Sequence, residues 1–166
     1  MNNQVQAELK KIFNGRFSTS ESTRANYARG EDTYDPVLSK AVVFPETNEE
    51  VSKILSLCNE HKIPVVPFGT GTSLEGNVVG NDKGITISLE KMNKVLSVNA
   101  EDFDCRVQAC VTKEQLNEYL REDGVFFPID PGANAAIGGM ASTSASGTMA
   151  VKYGTMKTVI TGLTVV

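Results

Sequence analysis

A β-strand that stops at a glycine-rich loop is the feature of this sequence that most limits its fold. The segment VVPF at 65–68 is apolar and β-branched, and the loop GTGTSLEGNVVG at 69–80 follows it directly. Earlier in the chain, the apolar segment AVVF at 41–44 ends at Pro45, and a helical pattern fills the residues between the two segments. Two apolar strands joined by a helix predict a β-α-β unit with parallel strands and a right-handed crossover.

The helix between these strands carries its own start and stop signals. Thr47, followed three residues later by Glu50, is a capping box in which each side chain satisfies the other residue's open backbone N–H group. His61 lies near the C-terminus of the helix, where a cationic side chain is favourable, and Pro64 prevents continuation. The apolar residues between these signals share one helical face: Val51, Ile54, Leu55 and Cys58.

Periodicity also predicts the elements on either side of this unit. Residues 3–13 have apolar side chains at helical spacing, whereas residues 14–35 are polar and are predicted to be irregular. A second capping box, Thr112 with Gln115, begins another helix, and Gly124 lies just after its end. Alternating or β-branched segments predict further strands at 84–89, 94–98, 105–111 and 159–166.

Composition excludes several classes of protein. The chain of 166 residues suffices for one domain or two small ones, and its net charge of −4 without a basic run argues against a nucleic-acid partner. No apolar run approaches the roughly 20 residues that a membrane helix needs. The three cysteines lack metal-ligand spacing and predict reduced thiols. With only one histidine beside them, no metal site is predicted.

The glycine loop fails to match two familiar phosphate-binding motifs. The interval from Gly71 to Gly76 fits a P-loop, but Asn77 stands where that motif has lysine. Gly69 and Gly71 begin a dinucleotide fingerprint, but Leu74 occupies the third glycine position. The glycines and hydroxyl side chains nevertheless favour a nest of backbone N–H groups that binds a buried diphosphate. A tight glycine-rich crossover without a ligand is the alternative.

A second segment of small residues, 126–148, widens the range of ligands. It is rich in Gly, Ala, Ser and Thr, and it carries almost no charge. Such a surface lets a flat ring or an extended chain approach the backbone closely. Together with a diphosphate loop, it predicts an elongated cofactor. Low complexity or disorder is the alternative for residues 132–148.

Three motifs, in this order along the chain, resemble a known family. The motifs are PVVPFGTGTSLEG, FPIDPGANAAIGGMASTSASGT and KYGTM. They are similar to the FAD-binding domain of the vanillyl-alcohol oxidase / p-cresol methylhydroxylase (PCMH) superfamily, closest to its glycolate oxidase FAD subunit and D-lactate dehydrogenase (cytochrome) group. The resemblance runs from about Arg24 to Val166, and the combination is more specific than either glycine-rich segment alone.

The resemblance implies an α+β, PCMH-type FAD-binding fold, in which a small β-α-β subdomain precedes a mixed-sheet α+β subdomain. The implied parts are a lead-in at 1–35, a first FAD-binding subdomain with the pyrophosphate loop at 36–98, and a second FAD-binding subdomain at 99–166. Members of the family are longer, and this chain ends within a predicted strand. The second subdomain is therefore expected to be incomplete at its C-terminus.

The resemblance also assigns cofactor-binding residues, with FAD held non-covalently because the loop lacks the histidine that links the flavin in some members. Around the pyrophosphate it places Pro67, Phe68, Gly69, Thr70, Gly71, Thr72, Ser73 and Gly76. Along the rest of the cofactor it places Pro131, Gly132, Ile137, Gly138, Gly139, Ala141, Ser142, Thr143, Ser144, Gly147, Tyr153 and Gly154. Many relatives have Asn at the position of Ser144, so one potential contact is shortened here.

The function implied by the resemblance is oxidation of a small D-2-hydroxy acid, D-lactate or glycolate, with electrons passed to a separate acceptor protein, quinone or cytochrome. In the family the catalytic residues lie beyond the matching segment, so no catalytic residue is predicted and the segment alone is expected to be inactive. A cytoplasmic location is expected, peripheral at a membrane through the acceptor. The alternatives are a nucleotide-sugar enol-ether reductase of the same superfamily, and a non-enzymatic flavin- or nucleotide-binding module or scaffold.

Overall fold

A four-stranded mixed sheet forms the centre of the first part of the chain in the computed structural model, which describes residues 3–166. Its strands are β1 (Phe17–Ser18), β2 (Val42–Val43), β3 (Val65–Phe68) and β4 (Ile85–Ser88), in the order β1-β2-β4-β3. Strands β2 and β3 are both parallel to β4, which lies between them, and β1 is antiparallel to β2. The predicted parallel β-α-β unit and the predicted strand at 84–89 are confirmed.

Three helices accompany this sheet: α1 (Asn3–Ile12), α2 (Glu21–Asn26) and α3 (Asn48–Glu60). Helix α3 connects β2 and β3, as its start and stop signals predict. Apolar side chains of α1, α3, β2 and β4 form one buried cluster, which includes Val5, Leu9, Ile54 and Ile85. Because the lead-in helix contributes side chains to this core, it is an integral part of the sheet unit.

The start of α3 departs from the predicted capping box in one respect. The Thr47 hydroxyl accepts a hydrogen bond from the Glu50 N–H (3.2 Å), as expected. The Glu50 carboxylate instead accepts hydrogen bonds from the Glu46 N–H (2.7 Å) and from the guanidinium of Arg16. The Glu50 side chain is therefore bound by Arg16, which lies just before β1, and by the turn before α3, because a charged guanidinium is a stronger partner than a neutral amide.

The prediction that residues 14–35 are irregular is wrong. Strand β1 and helix α2 both form within this range. Strand β1 is only two residues long and α2 buries no side chain, so neither leaves an apolar periodicity in the sequence. Strand β1 forms because β2 offers an edge for pairing, which is a tertiary effect.

The second part of the chain begins with an antiparallel pair, β5 (Val95–Asn99) and β6 (Asp104–Val107). Helix α4 (Lys113–Leu120) follows, with the Thr112 hydroxyl accepting from the Gln115 N–H at 3.2 Å. Three short helices complete this part: α5 (Ile137–Ser142), α6 (Ala150–Tyr153) and α7 (Met156–Val159). Gly124 has a left-handed backbone just after α4 and a short 3₁₀ turn, as its predicted place at the helix end requires.

Two strand predictions in this part need correction. The strand predicted at 105–111 ends at Val107, because the carbonyls of Ala109 and Val111 accept hydrogen bonds from the start of α5. The strand predicted at 159–166 does not form. Among the described residues, none pairs with 160–166 in a sheet, and the alternating pattern has no buried face there, since Val165 is exposed.

The chain divides into two compact units between Lys91 and Met92. The first contains the mixed sheet with α1–α3, and the second contains the β5–β6 pair with α4–α7. The α+β fold class is confirmed. The functional boundaries 1–35, 36–98 and 99–166 remain predictions about FAD-binding subdomains. Among the helices of the described residues, none is long and apolar enough to cross a bilayer.

Candidate cofactor site

Four backbone N–H groups of the loop after β3 find no acceptor among the described residues. In the described part of the chain, the N–H groups of Gly69, Gly71, Thr72 and Ser73 donate to no other residue. Gly71 and Gly76 have φ values of +74° and +71°, which L side chains rarely adopt. A chain that turns through such residues gathers its N–H groups into a concave anion-binding surface.

Hydroxyl groups line the same loop. The Thr70 and Thr72 hydroxyls lie 3.4 Å apart, and the Ser73 hydroxyl donates to the side-chain oxygen of Asn77 at 2.6 Å. Between Pro67 and Gly80 the only charged side chain is that of Glu75, which is exposed. An anion in this loop would therefore be held by backbone and hydroxyl dipoles.

The loop is fixed from behind by the segment 28–37. The Glu31 N–H donates to the Gly71 carbonyl (2.9 Å), and the Gly80 N–H donates to the Ala28 carbonyl (2.9 Å). A Cβ at Gly30 would lie 2.4 Å from the Gly71 carbonyl oxygen, so only glycine permits this approach. This segment is the part of the loop's environment that sequence reasoning missed, since residues 14–35 were predicted to be irregular and no site residue was assigned to them.

In the second unit, the paired glycines of α5 have opposite surroundings. The Gly138 N–H donates to the Ala109 carbonyl at 2.8 Å, and a Cβ at Gly138 would lie 2.8 Å from the Ala109 Cβ. Gly139 is exposed, and a Cβ there would have no atom within 4 Å. Gly138 is therefore needed for packing, whereas Gly139 leaves open space beside the helix.

The turn after α5 is organised by one carboxylate. The Asp130 carboxylate accepts hydrogen bonds from the Thr148 hydroxyl (2.6 Å) and the Met149 N–H (3.0 Å). These bonds, with Thr148 the larger contributor, hold the pKa of the Asp130 carboxyl below its ordinary value. A Cβ at Gly147 would lie 2.2 Å from the Asp130 carbonyl oxygen, so this glycine also serves a close approach. Ser144, with φ of +52°, begins the turn.

Hydroxyls of α5 are partly used within the helix itself. The Ser142 hydroxyl donates to the Gly138 carbonyl (2.9 Å), and the Thr143 hydroxyl donates to the Gly139 carbonyl (3.0 Å). Both side chains are exposed, so their oxygens still face solvent as acceptors. Together with Gly132, Gly139 and Ser144, they form an exposed surface of small residues on this unit.

In the segment KYGTM, the ring of Tyr153 contacts two other side chains. The Tyr153 ring meets the Phe126 ring edge-on, with centroids 5.6 Å apart, and the Lys152 ammonium lies 4.8 Å from the Tyr153 ring centroid. Gly154 has φ of +81° and ends α6. The two ring contacts hold the Tyr153 side chain, and the positive φ accounts for glycine at position 154.

The predicted site residues thus form two sets, one in each unit. The set Pro67–Gly76 lies at the end of β3 and in its loop, with Phe68 buried and Pro67 exposed. The second set follows Asp130. It includes the half-buried Gly138 and Gly147, where a Cβ would clash, and the exposed Gly139, where it would not. Pro131, Ile137 and Ala141 are half-buried, and Ile137 and Ala141 contribute to apolar clusters beneath the surface. Each set is brought together locally by its own unit.

Other reactive side chains do not form a site. Within residues 3–166, no group of three or more His, Cys, Asp or Glu side chains is placed to hold a metal ion. Burial raises the pKa of the Cys58 thiol to about 11 and also raises the pKa of Cys105. Thiols with raised pKa values are poor nucleophiles at neutral pH.

The donor chemistry of both sets fits an elongated, diphosphate-containing cofactor. The hydroxyls of the loop, and its N–H groups that donate to no other described residue, suit a diphosphate. The exposed small residues suit a flat ring system. Comparison with known proteins agrees with this class. Residues 39–166 match the family described as an FAD binding domain, and the chain belongs to that family.

Its relatives include proteins named as D-lactate dehydrogenases and as a glycolate oxidase subunit. The chain is 46% identical over 149 residues to a probable mitochondrial D-lactate dehydrogenase of Danio rerio, covering 90% of this chain and 30% of the relative. It is 41% identical over 162 residues to the mitochondrial D-lactate dehydrogenase [cytochrome] of Arabidopsis thaliana, covering 96% of this chain and 29% of that protein. It is 30% identical over 152 residues to the glycolate oxidase subunit GlcD of Bacillus subtilis, covering 90% of this chain and 32% of the subunit.

Solved structures share the fold. The chain matches an alkyldihydroxyacetonephosphate synthase with a TM-score of 0.86 at 23% identity, covering 95% of this chain and 35% of the synthase. It matches p-cresol methylhydroxylase with a TM-score of 0.64 at 22% identity, covering 76% of this chain and 25% of that enzyme. The predicted PCMH-type FAD-binding fold and FAD as the cofactor are confirmed.

Two further findings concern the cellular location and the length of the chain relative to its relatives. The expected cytoplasmic location is wrong, because the relatives from Danio rerio and Arabidopsis thaliana are named as mitochondrial proteins. The chain spans about a third of the length of the curated relatives that it matches.

Proposed function

We propose that this chain holds FAD non-covalently, with the cofactor's pyrophosphate in the loop after β3. The backbone N–H groups of Gly69, Gly71, Thr72 and Ser73, which donate to no other described residue, are the observation that carries this proposal. A diphosphate supplies several acceptor oxygens, and partly buried N–H groups without acceptors gain most from such a ligand. The loop contains no histidine, which is why the attachment is proposed to be non-covalent.

The exposed small residues of the second unit are proposed to contact the rest of FAD. Gly132 and Gly139 leave open space where any larger residue would project a side chain. The exposed hydroxyls of Ser142 and Thr143 offer acceptor oxygens beside that space. Gly138 and Gly147 act indirectly in this proposal, because they let α5 and its turn pack closely against Ala109 and Asp130.

The proposed reaction of the whole protein is oxidation of a small D-2-hydroxy acid, D-lactate or glycolate. This substrate class comes from the names of the dehydrogenase and glycolate oxidase relatives. When bound, FAD supplies the capacity to accept a hydride equivalent and to release electrons one or two at a time. The proposed acceptor is a separate cytochrome or quinone, in keeping with the cytochrome in the name of one relative. This chain's own residues bind and orient the cofactor.

A pair of glycine substitutions tests the proposed surface. Gly139→Leu adds a side chain to open space inside the proposed site, and Gly162→Leu adds the same side chain to open space outside it. We expect Gly139→Leu to raise the dissociation constant of FAD at least about tenfold, a change of about 1.4 kcal/mol. Quenching of flavin fluorescence on titration with the purified chain measures this constant.

The Gly162→Leu variant serves as the matched control and is expected to bind FAD like the wild-type chain. Far-UV circular dichroism of both variants shows whether either substitution has changed the fold. Equal FAD affinities of the two folded variants would contradict the assignment of α5 to the cofactor surface.

A further inference from the structure

The segment 28–37, which contacts the glycine-rich loop, precedes the matched family region, which begins at residue 39. We propose that Asp32 of this segment is a positioning residue for the pyrophosphate loop. The inference rests on the proposed function, since it concerns how the FAD-binding loop obtains its shape. It adds a residue that neither the motifs nor the comparisons assign to the site.

Asp32 is a buried carboxylate whose two oxygens both bind backbone. Asp32 is only 7% exposed. One oxygen accepts the Gly30 N–H (3.1 Å), and the other accepts the Tyr34 N–H (3.0 Å). In the described part of the chain, Asp32 has no cationic partner. Burial of an unpaired carboxylate is costly, so these two bonds are what stabilises it in this turn.

The turn built on Asp32 holds one carbonyl of the loop. Between the two residues that Asp32 binds, the Glu31 N–H donates to the Gly71 carbonyl at 2.9 Å. The same carbonyl oxygen lies close to the Gly30 backbone, since a Cβ at Gly30 would be only 2.4 Å from it. Gly71 is therefore held by two adjacent residues whose backbone is set by the Asp32 carboxylate.

Fixing this carbonyl also fixes a donor of the loop. The Gly71 carbonyl and the Thr72 N–H belong to the same planar trans peptide, in which the C=O and N–H bonds point in opposite directions. Because the carbonyl points toward the turn at 30–34, the Thr72 N–H points away from it. The donor surface that is proposed to face the pyrophosphate is thus set from the opposite side of the loop by Asp32.

Replacing Asp32 with its neutral isostere distinguishes hydrogen bonding by the carboxylate from simple filling of space. Asp32→Asn keeps the size of the side chain but replaces one accepting oxygen with an NH₂ group, which sets a donor against a backbone donor. One of the two hydrogen bonds from backbone N–H groups to the carboxylate is then lost. Asp35→Asn is the matched control, because Asp35 is exposed, lies in the same segment and makes no hydrogen bond to another described residue.

The experiment combines two readouts on the 166-residue chain. In ¹H–¹⁵N spectra without FAD, Asp32→Asn should shift the amide signals of residues 69–73 while signals of residues 92–165 stay in place. FAD titration by fluorescence quenching should show about tenfold weaker binding for Asp32→Asn and less than about twofold for Asp35→Asn. Gly30→Ala, which leaves the Asp32 carboxylate intact but crowds the Gly71 carbonyl, should shift the same loop signals.

The outcomes distinguish the two proposals. Unchanged loop signals in Asp32→Asn and Gly30→Ala would overturn the positioning role, whatever the FAD affinity. If the folded wild-type chain quenches no flavin, the proposed function is contradicted, and the amide shifts alone still decide whether Asp32 sets the loop. If Asp32→Asn does not fold, Asp32→Glu, which keeps the charge but moves the carboxylate by one methylene group, decides the question: unchanged signals of residues 69–73 in the folded variant would overturn the positioning role.

Discussion

Residues of the same type have different structural roles in this chain, and their contacts show which role each one has. Gly138 and Gly139 are neighbours in sequence, yet one is closed by Ala109 and the other faces open space. Asp32 and Asp35 lie three residues apart, yet only Asp32 is buried with both oxygens bound to backbone. The role of each of these residues therefore depends on the atoms that surround it in the folded chain.

The ion pair between Arg16 and Glu50 gives a pH-dependent prediction at this scale. The two guanidinium N–H groups donate to the two carboxylate oxygens at 2.6 and 2.5 Å. These bonds lower the pKa of Glu50 from 4.5 to about 2. Because the folded-state pKa is depressed, the stabilisation is fully present above about pH 4.5 and is lost as the pH falls toward 2.

We expect Glu50→Gln to lower the free energy of unfolding by about 1–2 kcal/mol at pH 7 and by much less near pH 3. Urea unfolding at a series of pH values measures both effects. The exposed Glu60, at the other end of α3, provides the control substitution Glu60→Gln. A loss of stability in Glu50→Gln that is the same at pH 3 as at pH 7 would argue against the ion pair.

At the scale of elements, the sequence predicts those parts of the fold that carry their own periodicity. Helix α3, its Thr47 cap and the parallel strands β3 and β4 follow from apolar spacing and local start and stop signals. Strand β1 and helix α5 do not, because β1 forms on the free edge of β2 and α5 starts on carbonyls of Ala109 and Val111. These partners are distant in sequence and leave no local pattern.

Some residues of the candidate site are likewise predictable from the sequence, and others are not. The glycine loop after β3 is visible in the sequence because positive φ values require glycine at Gly71 and Gly76. The segment that holds the loop is not visible, because its contribution comes from the buried carboxylate of Asp32 and the close approach of Gly30. Only the folded arrangement brings these residues to the Gly71 carbonyl.

The β5–β6 hairpin gives a prediction about element stability. Phe103, at its tip, has φ of +55° and is 82% exposed, so a bulky residue adopts a left-handed backbone with little compensating burial. We expect Phe103→Gly to stabilise the chain by about 1 kcal/mol relative to Phe103→Ala, since both lose the ring and only glycine relieves the backbone strain. Urea unfolding of the two variants measures the difference. Equal stabilities would show that the tip is not strained.

At the scale of the whole molecule, we propose that each of the two compact units contributes residues that bind FAD. The first unit offers backbone donors suited to a diphosphate, and the second offers open, uncharged space suited to a flat ring. Both parts lie in a chain that belongs to the FAD binding domain family and spans about a third of its dehydrogenase relatives. The proposal assigns cofactor binding to these residues, and substrate oxidation to the whole protein.

Titration of FAD with the purified 166-residue chain is the most direct test of this account. We expect saturable quenching of flavin fluorescence, and we expect denaturation in urea to release all of the flavin from the protein. Recovery of free FAD after denaturation would agree with non-covalent binding through the loop of β3. A folded chain that gives no saturable quenching, or that retains flavin after denaturation, would contradict the proposed mode of binding.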